Sequence, residues 1–193
     1  MEILGKIFGS QSKVKIMRLF LLNPDTSFSY KEIKKRSRTS NDIANKELKA
    51  LQSIGFVKKR NKELRFNPSF KYTSELENLL INSDSLDKST LLEIFKKSGK
   101  VKLIIVSGIF IKDKDSRLDL LIVGDKIKKS KVEDGVHRLE AEIGAELTYA
   151  LFDTKEFLYR VNMYDKLIRD ILDFPHEVIL ETKELSTQSL KKP

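Results

Sequence analysis

The stretch from Asn41 to Gly55 most narrows what this chain can become. Ala44, Leu48 and Leu51 recur at helical spacing, Ile54 falls one residue short of the next step, and Gly55 follows as a left-handed stop. The opposite face carries Asn41, Asp42, Asn45, Lys46 and Lys49, with Ser40 at the helix start. Phe56-Val57-Lys58-Lys59-Arg60 and Leu64-Arg65-Phe66-Asn67 then read as two short strands of alternating character joined by Asn61-Lys62-Glu63. A helix with one apolar and one polar face thus passes directly into a small basic hairpin.

Upstream, Ser12 precedes a dense apolar run, Val14, Ile16, Met17, Leu19, Phe20 and Leu21, which predicts a largely buried helix ending before Asn23-Pro24. Ser29-Tyr30-Lys31-Glu32 has the capping-box pattern and predicts a second helix over about Tyr30 to Arg36. The polar turn Ser37-Arg38-Thr39-Ser40 separates it from the third helix.

Charge is distributed unevenly along this series. Residues 1–70 hold sixteen Lys+Arg against six Asp+Glu, a balance of +10, while residues 71–193 hold twenty-one against twenty-two, a balance of −1. A basic module is therefore joined to a neutral one. Such charge raises the local concentration of polyanions without specifying a fold. Asparagine can bond bidentately to adenine and lysine can reach guanine or phosphate, so the outer helix face suits a major groove. Lys58, Lys59, Arg60, Lys62 and Arg65 are suited to neutralising phosphates, which position a protein without reading sequence.

Residues Ser12 to Asn67, and above all the string IANKELKALQSIGFVKKR, resemble a winged helix-turn-helix domain of the kind found in small prokaryotic transcriptional regulators. The resemblance implies that Ser40, Asn41, Asp42, Asn45, Lys46, Lys49 and the five hairpin cations contact double-stranded DNA. It also implies a homodimer, with the amphipathic segment Tyr72 to Ile81 offering Leu76, Leu79 and Leu80 to a two-fold mate or to the second domain of its own chain.

The other half alternates strand-like and helix-like runs, which predicts a mixed sheet with helices against it. Asn82-Ser83-Asp84-Ser85 marks a boundary, and Lys88 to Lys97 reads as a helix before Gly99. Val101 to Val106 and Leu118 to Val123 read as strands around the charged turn Lys112 to Arg117. A helix over Lys131 to Ile143, a strand over Glu146 to Phe152, helices over Thr154 to Arg160 and Tyr164 to Leu172, and a strand over Glu177 to Leu180 follow. The expected organisation is a DNA-binding domain over 1–70, connecting helices over 71–99, a second domain over 100–183 and a flexible tail over 184–193.

Composition excludes several chemistries. The chain has no cysteine, so disulfides, thiolate metal sites and cysteine nucleophiles are ruled out. His137 and His176 lie far apart with no ligand-like spacing. No apolar run approaches the ~18 residues that span a bilayer, and the start, MEILGKIFGSQS, is unlike a secretory leader, so a cytoplasmic protein without membrane contact is expected. Neither a Walker-type phosphate loop nor a nucleophile elbow is present.

The segment VKLIIVSGIFIKDKDSRLDLLIVG, together with FPHEVIL after a helix, resembles the minimal nucleotidyltransferase-like domains over about Lys100 to Leu180. Active members of that family hold two divalent metals between acidic side chains, from a glycine-serine turn and an Asp-x-Asp strand. Here Ser116-Arg117-Leu118-Asp119-Leu120 retains Asp119 as the second acid but puts Arg117 where the first should stand, and the turn is Ser107-Gly108. A cation there repels magnesium rather than ligating it. Asp113 and Asp115 are the available substitutes.

The resulting expectation is an α+β protein, an N-terminal winged helix-turn-helix plus a C-terminal mixed α/β nucleotidyltransferase-like domain. It is read as a DNA-binding transcriptional regulator with no cofactor, no bound metal and no enzymatic activity. Ser107, Gly108, Arg117 and Asp119 are then vestigial, and the second domain serves sensing, dimerisation or docking. Two alternatives stay open: an active nucleotidyltransferase targeted by its winged helix, and an antitoxin-like interaction module.

Overall fold

The structure, a computed structural model, describes residues 3–82, 88–113 and 115–190. It is mixed α+β with two sheets. The chain divides into two units, residues 1–85 with 136–146 and residues 86–135 with 147–193. Of the polar stretch expected to mark a boundary, 83–85 lie outside the described residues.

The first unit runs α1 (Ile3–Ile7), α2 (Gln11–Leu22), β1 (Ser27–Ser29), α3 (Tyr30–Ser37), α4 (Asn41–Ser53), β2 (Val57–Arg60), β3 (Glu63–Phe66) and α5 (Thr73–Glu77), which continues into a π-helical turn, Asn78–Asn82. Its three strands pair antiparallel in the order β1-β3-β2. Helix α2 is almost wholly buried, because Val14, Ile16, Met17, Leu19 and Phe20 all enter one core with Phe28, Ile33, Leu48, Leu51, Phe56 and Leu64. Its N-cap is Ser10, whose hydroxyl accepts from the Lys13 amide, two residues ahead of the expected start.

Two elements here have no clear signal in the sequence. Strand β1 is three residues long, too short for alternation to show, and exists because Ser27, Phe28 and Ser29 pair with Arg65, Leu64 and Glu63. The segment after Pro68 is not a uniform helix with a single apolar side: Leu80 is buried in the unit's own core with Leu76 packed against it, whereas Leu79 is exposed. The π turn supplies the reason, since one extra residue in the turn rotates neighbouring side chains off the helical stripe.

Residues 136–146 join this unit through specific bonds. Buried Arg18 donates from Nε to the Leu80 carbonyl at 2.8 Å and from Nη1 to the Glu142 carbonyl at 2.9 Å. Lys15 pairs with Glu142 at 2.6 Å, and the Asn23 side-chain amide donates to the Gly144 carbonyl at 2.9 Å. Gly144 has φ +93°, and a Cβ there would lie 2.6 Å from the Leu19 amide nitrogen, so only glycine fits against α2.

Helix α3 starts as its sequence predicts. The Ser29 hydroxyl accepts from the Glu32 amide at 3.3 Å, and Glu32 Oε2 accepts from the Ser29 hydroxyl at 2.6 Å and amide at 2.8 Å. The hydroxyl first and the amide second hold the Glu32 carboxyl below its ordinary range. A depressed folded-state value stabilises in full above the unfolded pKa of about 4.3 and is lost as pH falls through the folded value. Ser29→Ala is therefore expected to cost about 1 kcal/mol near neutrality. In urea unfolding the gap from wild type should narrow below about pH 4; a gap that does not change with pH would separate the cap from Glu32 ionisation.

The second unit contains α6 (Lys88–Phe95), β4 (Lys100–Val106), β5 (Leu120–Asp125), the first half of α7 (Lys129–Ile143), β6 (Tyr149–Phe152), α8 (Thr154–Asn162), α9 (Lys166–Asp173), β7 (Glu177–Glu181) and α10 (Thr187–Leu190). Sheet order is β6-β5-β4-β7, antiparallel except for the parallel pair β5 and β6. The central strands are buried on both faces: Leu103, Ile105, Leu121 and Val123 pack with Phe157, Ile168 and Leu172, and Ile104, Val106, Leu120 and Ile122 on the alternate face are also buried. That is why both strands read as continuous apolar runs.

Beyond β7 the chain does not become the loose tail expected over 184–193. A 3-10 turn, Lys183–Leu185, and α10 put Leu185 and Leu190 into the core, two isolated apolar residues that the polar composition around them conceals. Residues 191–193 of that expected tail lie outside the described residues. Tyr159 and Tyr164 are both exposed.

Candidate nucleic-acid interface

Helix α4 is held from one side only. Ala44, Glu47, Leu48 and Leu51 are buried, and Glu47 keeps an ion pair with Lys13 at 3.4 Å. The Gln52 amide donates to the Tyr30 hydroxyl at 3.1 Å, tying α4 to the start of α3. Ser40, Asn41, Asp42, Asn45, Lys46 and Lys49 are all exposed. Ser40 is the N-cap, yet its hydroxyl makes no capping bond, so it is free to face a ligand.

Ile54 does not complete the apolar stripe. It is the C-cap residue, at φ −89° and ψ −1°, and is 60% exposed. Gly55 follows at φ +75° and turns the chain into the hairpin, where the Asn67 side-chain amide donates to its carbonyl at 2.7 Å.

The hairpin register sorts the cations by face. Val57 pairs with Phe66, Lys58 with Arg65, Lys59 with Leu64 and Arg60 with Glu63. Side chains alternate, so Lys58 and Arg60 share the outer face with Arg65 and Glu63, while Lys59 projects from the other face beside Leu64. Asn61 sits at φ +57° in the tight turn with Lys62 exposed at the tip. Lys58 stands directly opposite Arg65, a like-charge pair.

Arg65 differs from the other hairpin cations. Its Nη2 meets Asp25 at 2.8 Å and its Nε donates to the Pro24 carbonyl at 3.3 Å. It fastens β3 to the turn before β1 and is half-buried. Among the described residues, Lys46, Lys49, Lys58, Lys59, Arg60 and Lys62 have no carboxylate partner. Lys31 and Lys35 on α3 are exposed as well, cations that the sequence analysis did not single out.

A cavity of about 430 Å³ also opens in the first unit beside α3. Its lining carries both signs, Glu32, Glu140 and Glu146 beside Lys35, Arg36 and Arg38, with Arg36 on Glu146 at 2.6 Å. It lacks the excess of one sign that draws a polyanion.

In the second unit, Ser107, Gly108 and Asp119 come together, and Arg117 does not join them. Asp119 Oδ1 accepts from the Ile109 amide at 2.9 Å and Oδ2 from the Thr148 amide at 2.8 Å. The Ser107 hydroxyl donates to the Leu118 carbonyl, and Ser116 donates to the same carbonyl at 2.7 Å. Arg117 turns to Asp170 at 2.9 Å. Asp119 thus stitches the loop after β4 to the residue before β6. Among the described residues, no group of three metal-ligating side chains stands close enough to hold an ion. Asp113 accepts from the Asp115 amide at 3.0 Å within the charged turn.

Gly108, at φ +55°, leaves room for that carboxylate, because a Cβ on it would overlap Asp119 Oδ1. Gly108→Ala is expected to destabilise by about 2–3 kcal/mol, from the left-handed backbone and the displaced hydrogen bond together. Denaturant unfolding checks this, and a loss under about 0.5 kcal/mol would mean that the loop tolerates the methyl group.

No family model, no curated protein and no solved structure matches this chain. No helix among the described residues is long and apolar enough to cross a membrane.

Proposed function

We propose that the first unit is a winged helix-turn-helix that binds double-stranded DNA, and that the chain is a transcriptional regulator. In this reading α3 and α4 form the helix-turn-helix, α4 lies in the major groove, and the β2–β3 hairpin is the wing on the phosphate backbone. One observation carries it: a helix buried along one face presents Asn41, Asn45, Lys46 and Lys49 on the other, beside a hairpin in which Lys58, Lys59, Arg60 and Lys62 have no carboxylate partner while Arg65 is held by Asp25. Folding gains nothing from that arrangement, whereas a polyanion does.

The second unit is read as a nucleotidyltransferase-like sheet without the chemistry, serving sensing, dimerisation or docking. The support is that both oxygens of Asp119 are used by backbone amides and Arg117 by Asp170. Those bonds give Asp119 a structural role, joining the loop after β4 to the residue before β6.

The test is a salt titration of the full chain on duplex DNA, after selection of bound fragments from a random pool. About five phosphate contacts by the first unit contribute on the order of −4 to −5 to the slope of log affinity against log salt. Asn45→Ala and Lys49→Ala are expected to alter which fragments are selected; a uniform loss across all sequences would remove direct readout from this reading. A dimer would protect two half-sites about 34 Å apart, and a single protected site would exclude it.

A further inference from the structure

We propose that the second unit carries its own contact surface for nucleic-acid phosphates, at the end of the sheet where α6 meets β4 and β5 meets α7. Two segments build it, Lys96-Lys97-Ser98-Gly99-Lys100 and Lys126-Ile127-Lys128-Lys129-Ser130-Lys131. Together they hold seven lysines and no acid, within a half of the chain whose balance is −1.

The fold brings these segments side by side. Lys100 opposes Asp125 across β4 and β5. The Lys128 amide donates to the Ser98 carbonyl at 2.7 Å, and Lys131 Nζ donates to the Lys97 carbonyl at 3.1 Å. Gly99, at φ +154°, lies so close that a Cβ on it would come within 2.6 Å of the Lys126 carbonyl oxygen. All seven lysines are exposed.

Their charge is poorly compensated. Asp125, the nearest acid on the sheet, is taken by Lys102 at 2.9 Å, and Glu133 reaches Lys129 only at 4.0 Å. Helix α7 begins at Lys129 with no acid in its first turn, so its own dipole adds to the positive field. Like charges gathered this way repel unless an anion lies across them.

The residue types indicate what the anion is. Lysine offers point charges, without the planar fork of arginine, and no aromatic ring or side-chain amide stands in either segment for stacking or base recognition. Such a surface follows a phosphate backbone and is blind to sequence. The choice of duplex DNA as the polyanion rests on the reading of the first unit; the surface itself does not.

The experiment uses the full chain and random-sequence duplex in a salt titration with two variants. One carries Lys97→Gln, Lys100→Gln, Lys126→Gln and Lys128→Gln; the other carries Lys46→Gln, Lys49→Gln, Lys58→Gln and Arg60→Gln. Loss of four contacts is expected to make the slope of the first variant shallower by about 3 to 4. The second variant is expected to keep residual salt-dependent binding that disappears when both sets are combined. A first variant with the wild-type slope overturns the proposal. The same variant losing only binding to polyglutamate overturns it too, in favour of an acidic protein. If the second variant binds as wild type while the first does not, the reading of the first unit fails and this surface stands.

Discussion

Phe56→Ala is expected to lower the stability of the first unit by about 3–5 kcal/mol. The side chain is fully buried, and its ring meets Phe66 and Phe70 edge-on at centroid distances of 5.3 and 5.4 Å. Its amide donates to the Leu51 carbonyl at 3.0 Å, and its own carbonyl accepts from the Asn67 amide at 3.0 Å. Phe56 is thus the joint between α4 and the hairpin, and truncation leaves a cavity where helix and strands meet. Urea unfolding followed by circular dichroism measures the loss. Ile54→Ala, at a side chain 60% exposed and two residues earlier, is the control and should change stability by no more than about 0.5 kcal/mol. Equal effects at the two positions would mean that the joint does not depend on packing.

The second large effect concerns affinity. On the proposed function, the triple variant Lys58→Ala, Lys59→Ala and Arg60→Ala should make the salt slope shallower by about 2 to 3 and lower duplex affinity about 30- to 150-fold at physiological salt. Preference among sequences should not change, because phosphate contacts position without specifying. The hairpin register sharpens this into an order. Lys58→Ala and Arg60→Ala, on one face, should each remove close to a full contact, and Lys59→Ala, on the other, less. Arg65→Ala should alter the slope little, since Asp25 already holds that guanidinium. Fluorescence anisotropy across a salt series separates these cases; three equal single-variant slopes would show that the wing does not approach DNA by its outer face.

Much of the local architecture could be read from neighbouring residues. Ser29 and Glu32 start α3 through bonds made within four residues, and Gly55 ends α4 because its own backbone reaches a positive φ. The apolar spacing of Ala44, Leu48 and Leu51 separates buried from exposed faces of α4 without reference to any other element. Where neighbouring residues carry no signal, the deciding partner lies far along the chain. Strand β1 needs β3 about forty residues on to exist, and residues 136–146 find their place through Lys15, Arg18, Asn23, Arg36 and the bare backbone of Gly144.

The candidate site divides along the same line. Which cations stand on α4 and the hairpin follows from helical and strand periodicity, and so does the excess of charge in residues 1–70. Which of them are free to meet a phosphate does not. Arg65 is captured by Asp25, Asp119 by two backbone amides, and seven lysines from two segments far apart in sequence are gathered onto one end of a sheet. Short-range hydrogen bonds and periodicity act between residues a few positions apart, so composition and spacing suffice to read them. Availability of a charge depends on which distant groups come within about 4 Å of it, and only the packing of the whole chain decides that.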